Sequence, residues 1–540
     1  MSVLRRPVAE TGRIYMHAEV HRAEGADLGP SREYNIDLAP RVVHCAGSLI
    51  NALLDTGAQN YLEFKLLQQS YVWREGRYVR VPASRADIFK DRSLSPVDKR
   101  ALMRFLQKAQ QSFLAQTITQ EGQQAERPFV EMLREESLAQ PLRDVIMYAL
   151  ACIPTSQEGG PVLTGHPVSA AAGMAALARY MESVGRYGAD TAAFLVPMYG
   201  GGELPQAFCR VAAVAGALYV LRQPVADIML TSDGGSRLCT GVTTGSGQVL
   251  KCMALAASPG ALEELLPGES ALGVGESSLD AAGSALQHHS QAVAIINGPL
   301  QEDESQVLLI VPPGSAGNPH PVYVLQVGSA TACAPAGRFL LYLSTLSEAP
   351  SAGQDLQPAL EALVNMRELR NSAAPSFASD GEEQSASDSR PKALLVAYYN
   401  RIASSPALTL QHLPTNLTLC DPPDATIGYE AVLQGAQALL QRLFPDLQEG
   451  LFPGGGNAGD DESDEEAIEA LSEALGDLGA PAANVQQAGK ITAPYGGARE
   501  PFHVPARPPG NFSLTRLTWI VRPSQPERLR SSRGANKRAD

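Results

Sequence analysis

The stretch MYGGGELPQAFCR, Met198 to Arg210, limits what this chain can fold into more than any other. A glycine run leads into Glu-Leu-Pro-Gln and small apolar residues, a loop that opens a helix, and such a loop sets backbone N–H groups around an anion. A phosphate is one occupant. Leu-Pro-Gln, however, predicts a helix beginning at Pro205, with Glu203 just ahead of its positive end, where a carboxylate competes with a phosphate for the same N–H groups. Helical spacing then sets Gln206 and Arg210 on one side with Glu203 at its mouth, while Phe208, Val211, Ala212 and Val214 can face inward. A negative, an amide and a positive group in a row make a polar recognition edge. The plain alternative, a helix-capping Glu203 and a solvated Arg210, stays open on the sequence alone.

At roughly 150 residues per domain, a chain of 540 residues predicts two to four domains and a sizeable core. A net charge of −14 argues against a general nucleic-acid binder, which needs a basic face. Seven cysteines (Cys45, Cys152, Cys209, Cys239, Cys252, Cys333 and Cys420) lie far apart with no CxxC, which predicts buried free thiols in a reducing compartment and no zinc site. The opening MSVLRRPVAETGRIY carries no apolar core of signal-peptide length. The longest apolar run, VAAVAGALYVL from Val211 to Leu221, is too short to span a bilayer, and the ending NKRAD is no prenylation box. The expectation is a cytosolic protein.

Residues 1–30 are polar and weakly patterned, and we expect them to be poorly ordered. A short strand and an amphipathic helix carrying Leu49, Ile50, Leu53 and Leu54 follow, then a hairpin around EGR. From Ser95 the period turns helical: Ser95 is the N-cap, Pro96 takes the first helical position and Asp98 meets the positive end. Further helices are expected in RPFVEMLREESLAQPLRDVIMYALACI and HPVSAAAGMAALARYMESVGRYG, giving a helical unit at 90–187. ADIMLTSDGGSRLCTGVTTGSGQVLKCMALAA reads as a β-meander, and QAVAIINGPL, QVLLIVPP, PVYVLQVG and KALLVAYYN as strands. A solvated loop is expected at PSFASDGEEQSASDSRPK, and a closing helix at GYEAVLQGAQALLQRLFPD. Residues 454–540 are acidic, then rich in proline and arginine. We expect disorder there, apart from one helix capped by Ser463 and Glu466 with Ile468, Leu471, Leu475 and Leu478 on one face.

Signs of catalysis are few. The chain contains no strand–GxGxxG–helix unit, no GxxxxGK[ST], no HExxH and no GxSxG, and its nine histidines show no metal-ligand spacing. His288 and His289 are adjacent, which keeps them off a common face.

RYGADTAAFLVPMYGGGELPQAFCRVAAVAGALYVL resembles the signature of the GDI superfamily, the Rab GDP dissociation inhibitors and Rab escort proteins. YNIDLAP, YLEFK, VPASRADIF, DKRALMRFL, KALLVAYYN and HLPTNLTLC agree in order, so the resemblance covers about 32–453. It implies an α/β (α+β) two-domain fold, with a multi-sheet FAD-binding-like domain at 31–89 and 188–453 and a smaller all-helical domain inserted at 90–187. By motif match it also implies that Glu203, Gln206 and Arg210 grip a GDP-bound Rab GTPase, with Leu218 as an apolar contact, and that no nucleotide sits on the glycine run.

The segment SRADIFKDRSLSPVDKR favours the escort branch. Escort proteins dock on the α/β heterodimer of Rab geranylgeranyltransferase through a phenylalanine and an arginine, and Phe89 and Arg100 match them in type and spacing. The bland reading of Phe89 is that it covers the first turn of the next helix. The resemblance further implies a non-catalytic chaperone that presents Rab for geranylgeranylation, holds the geranylgeranyl lipid among helices near PVSAAAGMAALA and delivers the product to membranes. It implies no cofactor and no metal of its own. Tight helix packing is an equal reading of that alanine-rich stretch. The family's first strand–GxGxxG–helix segment, with a platform tyrosine, precedes the point where this chain starts. Three other readings stay open: a dissociation inhibitor that recycles prenylated Rab, a flavin-dependent oxidoreductase relative, and a non-functional truncated homologue.

Overall fold

The computed structural model describes residues 15–82, 85–90, 94–114, 126–158, 167–187, 192–233, 236–258, 288–371, 388–402, 413–420 and 424–444. The expected helix after Ser463, the tail at 454–540 and most of the expected loop at 375–392 lie outside these residues.

The core is a mixed sheet of eight strands. In chain order these are β1 (Tyr15–Arg22), then β4 (Gln69–Arg74), β5 (Arg77–Arg80), β11 (His288–Ile296), β12 (Val307–Val311), β13 (Val322–Val327), β14 (Phe339–Leu346) and β15 (Ala393–Ile402). They lie side by side as β1-β15-β11-β14-β13-β12-β4-β5. The β12–β4 pair is parallel and the other neighbours are antiparallel. The near-continuous apolar runs follow from burial on both faces, because strand side chains alternate. Val293, Ile295, Leu308, Ile310, Leu340 and Tyr342 point into one core. Ala292, Ala294, Leu309, Val311, Leu341 and Leu343 point into the other.

Several helices cover the first face. They include α2 (Arg85–Lys90), α3 (Pro96–Leu114), α4 (Phe129–Glu135), α5 (Gln140–Asp144) and α6 (Ala170–Ser183), with a π-helical turn over Val145–Leu150. Ser95 caps α3 as its sequence predicts, with Asp98 N–H donating to Ser95 Oγ at 3.1 Å. Ser169 caps α6 in the same way. Gly173 of α6 lies under the Phe129 ring, so closely that a Cβ there would sit 2.3 Å from it. In this conformation the alanine-rich helix is tightly packed. The second face is covered by α8 (Ala352–Leu363), whose Leu356, Leu360 and Leu363 are buried.

Three smaller sheets flank this body. β2 (Val43–His44), β6 (Phe194–Pro197) and β3 (Phe64–Leu66) form one in the order β2-β6-β3, backed by α1 (Ser48–Thr56). β7 (Val225–Asp233), β8 (Ser236–Thr244) and β9 (Val249–Lys251) form the expected meander. β10 (Leu255–Ala257) pairs in parallel with β16 (Leu417–Leu419).

Residues 1–30, expected to be poorly ordered, contain a strand. β1 closes the edge of the large sheet by pairing with β15. Its side chains are mostly exposed, so no alternation marks it in the sequence; the backbone hydrogen bonds that β15 offers at its edge make the strand. The boundary expected at 89/90 falls inside α2.

The helix at Glu430–Leu443 is anchored at its first residue. Glu430 Oε1 lies 3.2 Å from His44 Nδ1 and 3.6 Å from Arg179 Nε. Burial would raise the Glu430 carboxyl, but the His44 hydrogen bond and the charges of His44 and Arg179 hold it down at about 2. Folding therefore lowers this carboxyl, so its contribution is complete above the ordinary value of 4.5 and is lost as pH falls towards about 2. Replacing Glu430 by Gln removes the carboxylate that the half-buried Arg179 guanidinium and the buried His44 ring both face, a loss of about 3 kcal/mol at neutral pH. Thermal melts at neutral pH should show it, and the gap to wild type should narrow as pH falls from 4.5 towards 2.

Candidate functional site

The opening glycine run connects β6 to a helix over Glu203–Val214, here α7. The helix begins two residues before the expected Pro205, at Glu203 itself. The turn ahead of it is strained in the way its composition allows: Tyr199 and Gly200 both take positive φ, 65° and 92°. Tyr199 N–H is anchored on Thr331 O at 2.8 Å.

The glycine run does hold an anion, and the anion is the chain's own. Gly201 N–H donates to Asp37 Oδ2 at 2.8 Å, and Gly202 N–H also donates to this carboxylate. Asp37 is fixed from behind, its own N–H donating to Tyr342 Oη at 3.0 Å. Burial raises the Asp37 carboxyl above the usual carboxylate range, against the pull of the Gly201 and Gly202 amides. A Cβ on Gly200 would sit 3.1 Å from Asp37 Oδ2, at a φ that L side chains rarely adopt. Glycine is required there by both backbone conformation and contact. A phosphate would have to displace Asp37.

Past this turn, Leu204 and Ala207 bury α7 against Leu49, Leu53 and Leu195. That leaves a polar face outside. Gln206 Nε2 donates to Glu203 Oε1 at 3.1 Å, and the Arg210 guanidinium lies over the Tyr61 ring, 4.5 Å from its centroid. Glu203, Gln206 and Arg210 thus share one face of one helix, as their spacing predicts. Phe208 and Val211 pack inward as expected. Val214 does not; it is 80% exposed, because α7 ends there and leaves the core beneath it. Leu218, 63% exposed, belongs to the same open tract with Val220 and Leu221. Sequence reasoning missed Asp37, Tyr61 and Tyr199. Only Asp37 left a signal: a single carboxylate between Ile36 and Leu38 in an otherwise apolar stretch.

The GDP dissociation inhibitor family matches residues 11–385 of this chain. The chain belongs to that family. Among relatives, it is 32% identical over 451 residues to "Rab escort protein 1" of Arabidopsis thaliana, across 80% of this chain and 77% of that protein. It is 29% identical over 422 residues to "Rab proteins geranylgeranyltransferase component A 2" of Mus musculus, across 77% of this chain and 61% of that protein. The chain therefore spans less than two thirds of the mouse relative. The solved Rab GDI of Plasmodium falciparum has the same fold, with a TM-score of 0.54 at 17% identity over 77% of this chain and 84% of that one.

Within this GDI-family fold, Phe89 and Arg100 lie on the consecutive helices α2 and α3. Phe89 is 57% exposed. The two helices are joined by Lys99 Nζ, which donates to Phe89 O at 2.7 Å. Arg100 is exposed one residue further along, its Nε donating to Pro96 O at 3.1 Å.

Proposed function

We propose that this chain is a Rab escort protein. It binds GDP-loaded Rab GTPases on the α7 face, presents them to Rab geranylgeranyltransferase for geranylgeranylation and carries the product to membranes. Catalysis resides in the partner transferase. The observation that carries the reading is the exposed Phe89, a large aromatic turned to solvent on a helix tied to the one that bears Arg100. Aromatic and arginine anchors dominate the energy of small interfaces. The names of the Arabidopsis and mouse relatives support the same partner, and GTPase binding by the three α7 side chains agrees with the helix face they share, on which Gln206 and Arg210 are exposed.

Lipid carriage has a physical demand: each buried CH₂ is worth about 0.8 kcal/mol, so two prenyl chains stay in a membrane unless a protein buries them. Among the described residues no helix is long and apolar enough to cross a membrane. Entry of lipid beside α6 would require the Phe129 ring to leave Gly173.

Replacing Phe89 by Ala should weaken binding of the transferase heterodimer by about 30-fold or more, the loss of one hot-spot anchor. Arg100→Ala should act in the same direction. GDP-Rab affinity, read on the α7 face, should stay unchanged. A dissociation inhibitor would have no measurable transferase binding to lose, so titration of labelled transferase into wild type and variant separates the two readings.

A further inference from the structure

The seven cysteines are spread through the sequence, but the fold brings two of them together. Cys239 in β8 and Cys252 just after β9 have their Sγ atoms 3.9 Å apart. The contact is built into the hairpin. Cys252 N–H donates to Thr240 O at 3.1 Å, continuing the β8–β9 ladder by one rung. Asn416, ahead of β16, then clamps both segments. Its Oδ1 accepts from Cys239 N–H at 2.8 Å, and its Nδ2 donates to Cys239 O at 2.8 Å and to Met253 O at 2.7 Å. One side chain thus fixes the spacing of the two thiol-bearing strands.

The two sulfurs differ in access. Cys239 is 2% exposed, in a core with Ile228, Val242 and Leu255, whereas Cys252 is half-buried and lies beside the exposed Met253. The hydrogen bond between the two sulfurs holds the Cys239 thiol below its usual range, against the effect of burial. A thiol lowered in this way is the more nucleophilic sulfur of the pair.

We propose that Cys239 and Cys252 are a redox modification site that closes to an intramolecular disulfide under hydroperoxide. The thiolate attacks the peroxide O–O bond; the sulfur is oxidised to a sulfenic acid and hydroxide leaves. The neighbouring thiol then attacks that sulfur, the S–S bond forms and the sulfenic oxygen leaves as water. The bond needs the sulfurs to close to about 2.05 Å, a short travel that rotation of the half-buried Cys252 side chain supplies. The product is a covalent rung across the β8–β9 hairpin, reversed by a thiol reductant.

The test uses the full chain, reduced and then exposed to hydrogen peroxide, with remaining thiols alkylated under denaturing conditions and the digest read by mass spectrometry. The expected result is a mass lower by about 2 Da before alkylation, with two fewer alkylated cysteines and one linked peptide joining Cys239 to Cys252. Dithiothreitol should restore both thiols. In Cys252→Ser, Cys239 should stop at the sulfenic acid and be captured by dimedone as a single adduct. Seven alkylated cysteines after peroxide, or disulfides joining other cysteines or separate chains, would overturn the proposal. So would dimedone capture of Cys239 in wild type equal to that in Cys252→Ser.

Discussion

Arg210→Ala should weaken binding of GDP-loaded Rab by about 30- to 100-fold, a loss of roughly 2–3 kcal/mol. Arg210 is held over Tyr61 before any partner arrives, so its guanidinium enters an interface with little side-chain entropy left to lose. Truncation removes that preset charge and uncovers the Tyr61 ring. Stability should barely change, because Arg210 is exposed and the burial of α7 rests on Leu204 and Ala207. Arg210→Lys tests the geometry: it keeps the charge but loses the planar stack, and it should recover only part of the affinity. Isothermal titration alongside thermal melts reads both quantities. A large fall in melting temperature would mean that Arg210 serves the fold instead of the partner.

Asp37→Asn should raise the Kd for GDP-loaded Rab about tenfold, the scale of one lost charge-assisted hydrogen bond, without lowering the melting temperature. The two halves of that expectation have different causes. Burial raises the Asp37 carboxyl even though Gly201 and Gly202 donate to it. A carboxyl raised by folding is a cost to the native state while ionised, and that cost is relieved as pH falls through its folded value. A neutral amide of the same shape removes the cost, so stability should hold or rise at neutral pH. It also gives the two glycine N–H groups a weaker, uncharged acceptor, which loosens the turn that aims Glu203 and Gln206. Wild-type affinity should therefore fall as acidification protonates Asp37, and the variant should not follow that part of the profile. A drop in stability together with affinity would show that Asp37 merely supports the fold.

Local features were legible in the sequence. Ser95 and Asp98 announced the start of α3, near-continuous apolar runs announced β11, β12, β13 and β15, and the glycine-to-helix transition announced α7. The face shared by Glu203, Gln206 and Arg210 followed from helical spacing alone. Contacts between distant segments were not legible. Asp37 and Gly201 are 164 residues apart, so nothing local says that the glycines wrap a carboxylate or which one. β1 carries no apolar alternation because its side chains are mostly outside; it exists because β15 has an edge to pair. The start of α7 at Glu203 follows from the Asp37 carboxylate, which satisfies amides at the mouth of the helix. Cys239 and Cys252 meet because a hairpin folds back and Asn416 clamps it, and their spacing in the chain resembles no thiol motif.

The central claim is tested most directly by a reconstituted prenylation reaction containing this protein, a GDP-loaded Rab, Rab geranylgeranyltransferase and labelled geranylgeranyl diphosphate. Label transfer to Rab should require this chain, and it should fall with Phe89→Ala and with Arg210→Ala through separate losses of transferase and Rab binding. Absence of transfer with wild-type protein that still binds GDP-loaded Rab would contradict the escort reading and leave an inhibitor-like carrier.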